Sequence, residues 1–435
     1  MEKIKVIGAG LAGCEAALQI ASRGIEVELY EMKPCKRSPA HHMDTFAELV
    51  CSNSLKAARV DSAAGLLKEE MRRFGSVCMR AAETCSVPAG GALAVDRDIF
   101  SEYITKEIRE NEYITVIEGA VSEIPDGIVV IATGPLTDDA LAEAIKHKCK
   151  GEQLSFYDAA APIVTAESVD MGIAFGASRY DKGDADYINC PMNKEEYERF
   201  HSELVAAEIA PLHDFDGNIT VYEGCMPIEV LAKRGEDSIR FGPLKPVGLR
   251  DPRTGHRPWA VVQLRRENKE GSLYNLVGFQ TNLKFPEQKR VFSLIPGLEN
   301  ADFVRYGVMH RNTFIDSPRL LSRNLSMKSD SKVFFAGQLS GVEGYMESAS
   351  SGIIAGINAA KYLLGEEPLI LPDYTMTGAL LNYICDETVS NFQPMGANFG
   401  ILPPLPEKIR DKRERYAALS QRSLEWFDKN IGENK

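Results

Sequence analysis

A glycine-rich stretch near the start of the chain has the residue types and spacing needed to bind phosphates. It follows the GxGxxG pattern and lies between an apolar strand predicted over residues 4–7 and a helix predicted over residues 11–23. The glycines permit a tight turn, a close approach of a pyrophosphate to the backbone, and packing of the helix on the strand. Free N–H groups and the dipole at the helix start favour negative charge. The predicted turn consists of Gly8, Ala9, Gly10, Leu11, Ala12 and Gly13.

A carboxylate ends the next predicted strand, over residues 25–31. Glu31 follows Gly13 by 18 residues, near the spacing of about 20 residues at which an acid accepts a hydrogen bond from a ribose hydroxyl. An acid at this position selects an unphosphorylated ribose. The pattern therefore indicates a bound dinucleotide, either FAD or NAD.

A second glycine-rich turn, near the other end of the chain, favours FAD. It occupies residues 337–341, between a strand predicted over residues 332–336 and a helix predicted over residues 347–364. The larger FAD needs such a return of distant chain to the same ligand, and the strand end ATG at residues 132–134 is common in FAD proteins. The candidate cofactor residues here are Gly337, Gln338, Gly341 and Glu343.

Both ends of the chain are predicted to contain strand, turn and helix elements, whereas the middle of the chain has a different sequence pattern. The middle is richer in turn signals and contains strand-like runs, among them residues 238–241. This order predicts an α/β protein with a Rossmann-like, discontinuous FAD-binding domain and an inserted mixed α+β domain. The predicted parts are residues 1–139, the first part of the FAD-binding domain, residues 140–310, the insertion on the substrate side, and residues 311–435, the second part with a C-terminal helical tail.

Composition and charge limit the class of protein. No apolar run approaches the roughly 20 residues needed to cross a bilayer, and the chain starts directly with a strand and a glycine turn, so we expect a cytoplasmic protein without a membrane segment. The formal net charge of −12 argues against diffuse binding to polyanions. Any nucleic-acid surface must therefore be a local basic patch.

Two stretches of the chain provide such local positive charge. Residues 245–266 contain six basic residues and one acidic residue, and residues 408–422 contain six basic and two acidic residues. These patches would neutralise nucleic-acid phosphates, although a charge run is also common on an ordinary solvated face. The candidate nucleic-acid contacts are Lys245, Arg250, Arg265, Lys408 and Lys412.

Seven segments spread over nearly the whole chain carry a resemblance to one family. The segments are FAELVCSNSLK (46–56), PAGGALAVDR (88–97), YEGCMP (222–227), FGPLKPVGL (241–249), NLVGFQT (275–281), RYGVMHRNT (305–313) and GVEGYMESA (341–349). With them the chain resembles the folate- and FAD-dependent tRNA (uracil-5-)-methyltransferases, the TrmFO family. That family is related to the GidA-type tRNA modification flavoproteins.

The resemblance implies an activity, its cofactors and its partners. It implies methylation of carbon 5 of a uridine in the T loop of tRNA, at position 54, with 5,10-methylenetetrahydrofolate as the carbon donor. It also implies FAD as carrier and reductant of that carbon, and NADH or NADPH as the electron source. The partners would be the T arm of tRNA, bound transiently, and folate. The alternatives are ribosomal RNA as the target, a small-molecule flavin oxidoreductase, and a non-catalytic flavin-binding subunit.

The nine cysteines show no CxxC pair or repeated spacing, which disfavours a zinc site or a disulfide framework. The resemblance makes Cys51 and Cys225 the catalytic pair, one adding to carbon 6 of uracil and the other assisting proton removal at carbon 5. Which cysteine attacks stays open. Cys51 precedes a helix start predicted at residues 52–54, with Lys56 near enough to stabilise a thiolate. Cys14, on the first predicted helix, is expected to be core packing.

Two further pairs are weaker candidates. Asp96 and Arg97 follow the Gly-Gly-Ala turn and would contact flavin or folate, unless they are a helix N-cap with a neighbouring surface arginine. His310 and Arg311 would hold an anionic folate tail or flavin oxygens, unless they form a structural hydrogen-bonding pair.

Overall fold

The computed structural model describes residues 2–38, 40–149, 153–159, 161–181, 185–210, 226–268, 270–307, 309–389 and 392–431. For residues 153–159, 181 and 310–312 it describes the backbone alone. Within these ranges no helix is both long enough and apolar enough to cross a membrane.

Strands and helices alternate at both ends of the chain. The strands are β1 (Ile4–Ile7), β2 (Val27–Glu31), β3 (Ser54–Ala57), β4 (Ser86–Val87), β5 (Ala92–Val95), β6 (Ile114–Glu118), β7 (Val129–Ile131), β8 (Gln153–Ala159), β9 (Ile163–Thr165), β10 (Phe175–Gly176), β11 (Tyr187–Met192), β12 (Ala260–Arg266), β13 (Leu273–Leu276), β14 (Phe303–Arg305), β15 (Met309–Ile315), β16 (Ser326–Met327) and β17 (Asp330–Phe335). The helices are α1 (Leu11–Ala21), α2 (Ala63–Arg73), α3 (Val77–Thr84), α4 (Arg97–Arg109), α5 (Asp139–Lys148), α6 (Lys194–Ala206), α7 (Ile228–Ala232), α8 (Phe285–Phe292), α9 (Ser317–Leu320), α10 (Tyr345–Leu364), α11 (Met376–Ile384) and α12 (Lys412–Asn430).

A six-stranded sheet in the order β16-β17-β7-β1-β2-β6 brings the two ends of the chain together. The strands from β17 to β6 are parallel, and β16 is antiparallel at one edge. The carboxyl ends of parallel strands meet at one edge of a sheet, where ligands bind in folds of this kind. Both predicted glycine turns, after β1 and after β17, therefore open at the same edge.

Helices α1 and α10 approach each other closely on one face of this sheet. A Cβ on Gly352 would lie 2.1 Å from the carbonyl oxygen of Ala12, and a Cβ on Gly356 would lie 2.6 Å from that of Ala16. These glycines let the backbones of the two helices touch. Cys14 of α1 is fully buried in this core, as predicted.

The middle of the chain forms a second sheet in the antiparallel order β10-β11-β12-β13-β9-β14. Strand β8 precedes the strands of this sheet along the chain and strand β15 follows them, and the two pair with each other. One hydrophobic core includes residues up to Cys149 and resumes at Phe314, while the other runs from Ala161 to Phe303. Helix α5 packs in the first core, although the predicted boundary assigns it to the insertion. The domain boundaries themselves stay a prediction.

Two local predictions are wrong. Residues 238–241 form turns instead of a strand, and the folded-back chain is stabilised by the Ser238 hydroxyl, which lies 2.6 Å from the carbonyl oxygen of Leu231 and 2.7 Å from that of Gly235 and shares its hydrogen between them. No helix starts at residues 52–54; instead the strand β3 begins at Ser54 and pairs with β5. The β-α-β start, the strand and helix around the second glycine turn, and the charged C-terminal helix are confirmed.

Candidate functional site

The first glycine turn closes tightly on the end of the sheet. Gly8 has a φ of 95°, and a Cβ there would lie 2.8 Å from the carbonyl oxygen of Ala132. A Cβ on Gly13 would lie 1.8 Å from the carbonyl oxygen of Gly8, so only glycine allows α1 to pack here. A Cβ on Gly10 would meet no atom within 4 Å. The N-terminus of α1 therefore faces open space, where a pyrophosphate would accept hydrogen bonds.

Glu31 supports this turn from the neighbouring strand. Its carboxylate accepts hydrogen bonds from the backbone N–H of Ala9 at 2.8 Å and of Lys33 at 3.0 Å. The residue is 7% exposed and lines the cleft beside the turn. A carboxylate oxygen can accept more than one hydrogen bond, so Glu31 can also accept from a ribose hydroxyl.

Two adjoining clefts form one trough across the edge of the sheet. The first has about 690 Å³ of space and is lined by the glycine turn, Glu31 and residues 119–121. The second has about 860 Å³ and reaches Cys51 and the second glycine turn. Both clefts are lined by Gly10, His41, Glu48, Thr133 and Leu136. An elongated dinucleotide with its ribose at Glu31 would extend towards Cys51.

The second glycine turn borders the far cleft. Gly337 and Gln338 line it, and the Gln338 side chain donates a hydrogen bond from Nε2 to Glu343 Oε2 at 2.6 Å. Gly341 packs on Phe392, whose ring would lie 2.3 Å from a Cβ at this position. Gly337 and Gln338 thus border the space for a ligand, whereas Gly341 and Glu343 shape the turn behind them.

Cys51 lies beside Tyr345 in the same cleft. The Tyr345 hydroxyl accepts hydrogen bonds from the backbone N–H groups of Cys51 at 2.8 Å and of Ser52 at 3.1 Å, and lies 3.0 Å from Cys51 Sγ. Burial raises the pKa of the Tyr345 phenol well above its ordinary value, and the neighbouring Cys51 adds to the rise. The phenol therefore keeps its proton at neutral pH.

Asp96 caps α4, and Arg97, the first residue of this helix, supports the Cys51 loop. The Asp96 carboxylate caps α4 by accepting hydrogen bonds from its first backbone N–H groups at 3.1 Å. The Arg97 guanidinium donates to the carbonyls of Leu49 at 2.8 Å and Val50 at 3.1 Å. It also forms an ion pair with Glu267 and is 9% exposed. The N-cap is confirmed, whereas the surface arginine is wrong because Arg97 reaches inward to these acceptors.

Arg265 supports the same loop from the inserted sheet. Its Nε donates to Asn53 Oδ1 at 3.0 Å, and its Nη2 donates to Ser52 Oγ at 2.8 Å. Arg265 is only 8% exposed. The structure therefore places this predicted RNA contact under the Cys51 loop and not on an exposed basic surface.

Arg305 adds a third guanidinium close to Arg97 and Glu267. Burial lowers the pKa of Arg305, and the adjacent charge of Arg97 lowers it further. The Arg305 Nη2 atom is buried and has no hydrogen-bond partner among the described residues. Arg97, Arg265 and Arg305 share the buried carboxylate of Glu267 as a nearby counter-charge. Such an excess of positive charge favours a thiolate or an anionic ligand.

The other predicted site residues lie elsewhere. Cys225 belongs to residues 211–225, which are outside the described residues, and the side chains of His310 and Arg311 on β15 are also outside them. Lys56 donates to Glu347 Oε1 at 2.7 Å. The exposed basic candidates are Lys245, Arg250, Lys408 and Lys412.

Four residues at the site were missed by sequence reasoning. Tyr345, Glu48 and Arg305 lie inside the family-like segments without an assigned role, and His41 lies outside them. A tyrosine four residues after the second glycine turn is a usable signal, because that position begins the helix that follows the turn. Nothing in the spacing indicates that His41 lines the cleft or that Arg305 lies close to Arg97 and Glu267.

The fold and the trough define a Rossmann-like dinucleotide-binding protein with an inserted antiparallel domain. A family model described as Glucose inhibited division protein A (GIDA) matches residues 3–367. Among curated proteins, the methylenetetrahydrofolate–tRNA-(uracil-5-)-methyltransferase TrmFO of Acetivibrio thermocellus is 60% identical over 98% of this chain and 97% of its own length. The protein of the same name from Halalkalibacterium halodurans is 58% identical over 97% of both chains. This chain belongs to the GidA family, and within it to the TrmFO family.

Solved structures agree on the fold. Two crystal forms of Aquifex aeolicus GidA match 99% of this chain with TM-scores of 0.72 and 0.70, covering 76% and 73% of those chains. At 18% identity this likeness is one of fold. The predicted α/β class is confirmed.

Proposed function

We propose that this protein transfers a one-carbon unit from 5,10-methylenetetrahydrofolate to carbon 5 of a uridine in the T loop of tRNA. Its relatives carry the name of this activity at high identity over nearly full length. The structural observation that supports it most is that Cys51 lines the same cleft as both glycine turns. A thiol at the end of a cofactor trough serves addition to uracil.

FAD fits the trough by its shape and donor set. Glu31 would accept from the ribose, and the open space at Gly10 would take the pyrophosphate at the start of α1. Gly337 and Gln338 border the second cleft, where the wide ring would lie. When bound, FAD would supply the reducing equivalents that turn the transferred carbon into a methyl group, with NADH or NADPH as electron source.

The uracil ring needs a nucleophile at carbon 6 and a base that removes the proton at carbon 5. We assign these two roles to Cys51 and Cys225. For Cys51 the assignment is supported by the guanidiniums of Arg97 and Arg265, which donate hydrogen bonds to the Cys51 loop, since nearby positive charge favours the thiolate. The anchored loop would hold this sulfur in a fixed place while carbon 5 reacts.

An exposed basic loop of the insertion is the first surface that we propose for RNA. Lys245, Arg250 and Arg257 are exposed, and no described carboxylate forms an ion pair with them. The Arg179 guanidinium fixes this loop by donating to the Lys245 carbonyl at 2.6 Å and to Gln263 Oε1 at 2.9 Å. Gln263 lies on β12, the strand that also carries the anchor of the Cys51 loop. Phosphates bound here would therefore lie on the same side of the insertion as the cleft.

A groove beside the start of α12 is the second proposed RNA surface. It has about 1290 Å³ of space, and Lys408 and Arg410 line it. The rings of Phe399 and Tyr416 stack at 4.3 Å along it. Cations neutralise phosphates and aromatic rings stack with bases.

We place the reaction in the cytoplasm, since tRNA, folate and NAD(P)H are available there.

The decisive experiment is nucleoside analysis of RNA incubated with the FAD-loaded protein. Unmodified tRNA, methylenetetrahydrofolate and NADH or NADPH should yield 5-methyluridine with the wild-type protein. Cys51→Ala and Cys225→Ala should yield none while FAD stays bound, and the exposed Cys35→Ala is the matched control that should retain activity. If only ribosomal RNA is methylated, the substrate is ribosomal RNA and not tRNA. Reoxidation of the flavin without any methylated nucleoside would overturn the proposal.

The RNA surfaces are tested by binding of tRNA at several salt concentrations. Joint replacement of Lys245, Arg250 and Arg257 by alanine should weaken binding and reduce the salt slope by roughly one for each phosphate that the variant no longer neutralises. The control is Lys332→Ala, an exposed lysine on β17. An unchanged slope would remove this loop from the RNA surface.

A further inference from the structure

The hydroxyl of Tyr345 is in contact with three groups of the Cys51 loop. Two are backbone N–H groups, those of Cys51 at 2.8 Å and Ser52 at 3.1 Å. The third is Cys51 Sγ at 3.0 Å. Tyr345 is the first residue of α10, so the helix that packs on α1 holds this hydroxyl in place.

Counting protons determines the direction of the hydrogen bond with sulfur. A phenol hydroxyl has two acceptor lone pairs and a single hydrogen. The two N–H groups can only donate, so they occupy the acceptor side of the oxygen. The hydrogen of the hydroxyl is left to point at the third neighbour, which is the sulfur of Cys51.

We infer that Tyr345 is a positioning residue that donates its hydroxyl hydrogen to Cys51 Sγ and stabilises this cysteine as the thiolate. A hydrogen bond to the charged form of an acid favours that form. The importance of this for methylation rests on the function proposed above. Tyr345 does not itself need to touch uracil or folate.

Other charged groups around Cys51 are the same in the wild type and in a variant changed only at the phenol. Arg265 of β12 and Arg97 of α4 lie near the Cys51 loop, and His41 and Glu48 line the same cleft. The phenol stays protonated because burial raises its pKa, so it remains a donor over the range in which a thiol titrates. A change confined to the phenol therefore isolates the contribution of the Tyr345 hydroxyl to stabilising the Cys51 thiolate.

The test is the pH dependence of alkylation of Cys51 by iodoacetamide in the full-length, FAD-loaded protein. Mass spectrometry of the Cys51 peptide separates it from the other cysteines. Tyr345→Phe should raise the pH midpoint by about one to two units, the size expected for loss of one hydrogen bond to a charged acceptor. Tyr383→Phe is the matched control, since its hydroxyl donates to the Gln393 carbonyl away from the cleft, and its midpoint should equal that of the wild type.

A second replacement covers the case in which Tyr345→Phe loosens the loop. Incorporation of 3-fluorotyrosine at position 345 keeps the oxygen and both accepted hydrogen bonds, but its phenol is a stronger donor. It should lower the midpoint. A midpoint that is unchanged with 3-fluorotyrosine, or that falls in Tyr345→Phe, would show that the thiol is the donor and overturn the inference. Because no RNA or folate is present, this outcome is independent of whether the wild-type protein methylates RNA.

Discussion

Replacing Glu31 with glutamine should weaken FAD binding without unfolding the protein. The carboxylate accepts from the N–H groups of Ala9 and Lys33 through its two oxygens. Glutamine keeps one acceptor oxygen and puts an NH2 group in place of the other, so one backbone N–H faces a donor. The ribose hydroxyl also loses a charged acceptor. One charge-assisted hydrogen bond is worth about 1.5–3 kcal/mol, which corresponds to a roughly ten- to hundredfold increase in the Kd for FAD.

The assay is titration of flavin-stripped protein with FAD, followed by quenching of flavin fluorescence. Glu28→Gln is the matched control, because Glu28 lies on the same strand and accepts from the Tyr30 hydroxyl at 3.0 Å away from the turn. Its Kd should equal that of the wild type. A Kd of Glu31→Gln within twofold of the wild type would refute the placement of the ribose at Glu31.

Three more replacements test the packing, a buried charge and the loop anchor. Gly352→Ala would put a Cβ 2.1 Å from the Ala12 carbonyl oxygen, so thermal or urea unfolding should show a loss of about 1–3 kcal/mol. Burial lowers the pKa of Lys68 to about 8, so between pH 8 and the higher unfolded-state pKa the unfolded chain binds more protons and stability rises with pH. Lys68→Met should lack that rise in urea unfolding curves measured across this range. Arg265→Ala should lower kcat for methylation roughly ten- to hundredfold with FAD still bound, since a misplaced loop costs about that much.

Each of these has a control on the same chain. Gly91→Ala adds a Cβ with no atom within 4 Å and should leave stability unchanged. Lys106→Met replaces an exposed lysine of α4 and should keep the rise of stability with pH. Arg266→Ala, next to the anchor, should retain most activity. Equal stability of Gly352→Ala and the wild type, parallel pH curves for Lys68→Met, or full activity of Arg265→Ala would contradict the respective reasoning.

The parts of the site that can be predicted from the sequence are those built by neighbouring residues. The turn from Gly8 to Gly13 and the strand that ends at Glu31 are one continuous β-α-β unit, so spacing alone indicates their geometry. The second glycine turn is identified in the same way. The family resemblance then predicts Cys51 as a catalytic residue.

The parts that sequence reasoning misses or mistakes depend on residues far apart in the chain. Cys51 and Tyr345 are 294 positions apart, and Arg265 reaches Asn53 across 212 positions. The sequence favours surface positions for Arg265 and Arg97, since charged residues are usually exposed. Their burial depends on hydrogen-bond acceptors supplied by a distant loop, and no local sequence pattern indicates where those acceptors lie.

The order of residues by itself determined a dinucleotide-binding start, a return of the chain to the same ligand, and membership of a family of RNA methyltransferases. Only the tertiary structure decided that the phenol of Tyr345 lies against the sulfur of Cys51 and that the guanidiniums of Arg97 and Arg265 donate hydrogen bonds to that loop. Turns and strands follow from local sterics and periodicity, whereas the environment of a side chain is set by whichever distant elements pack against it.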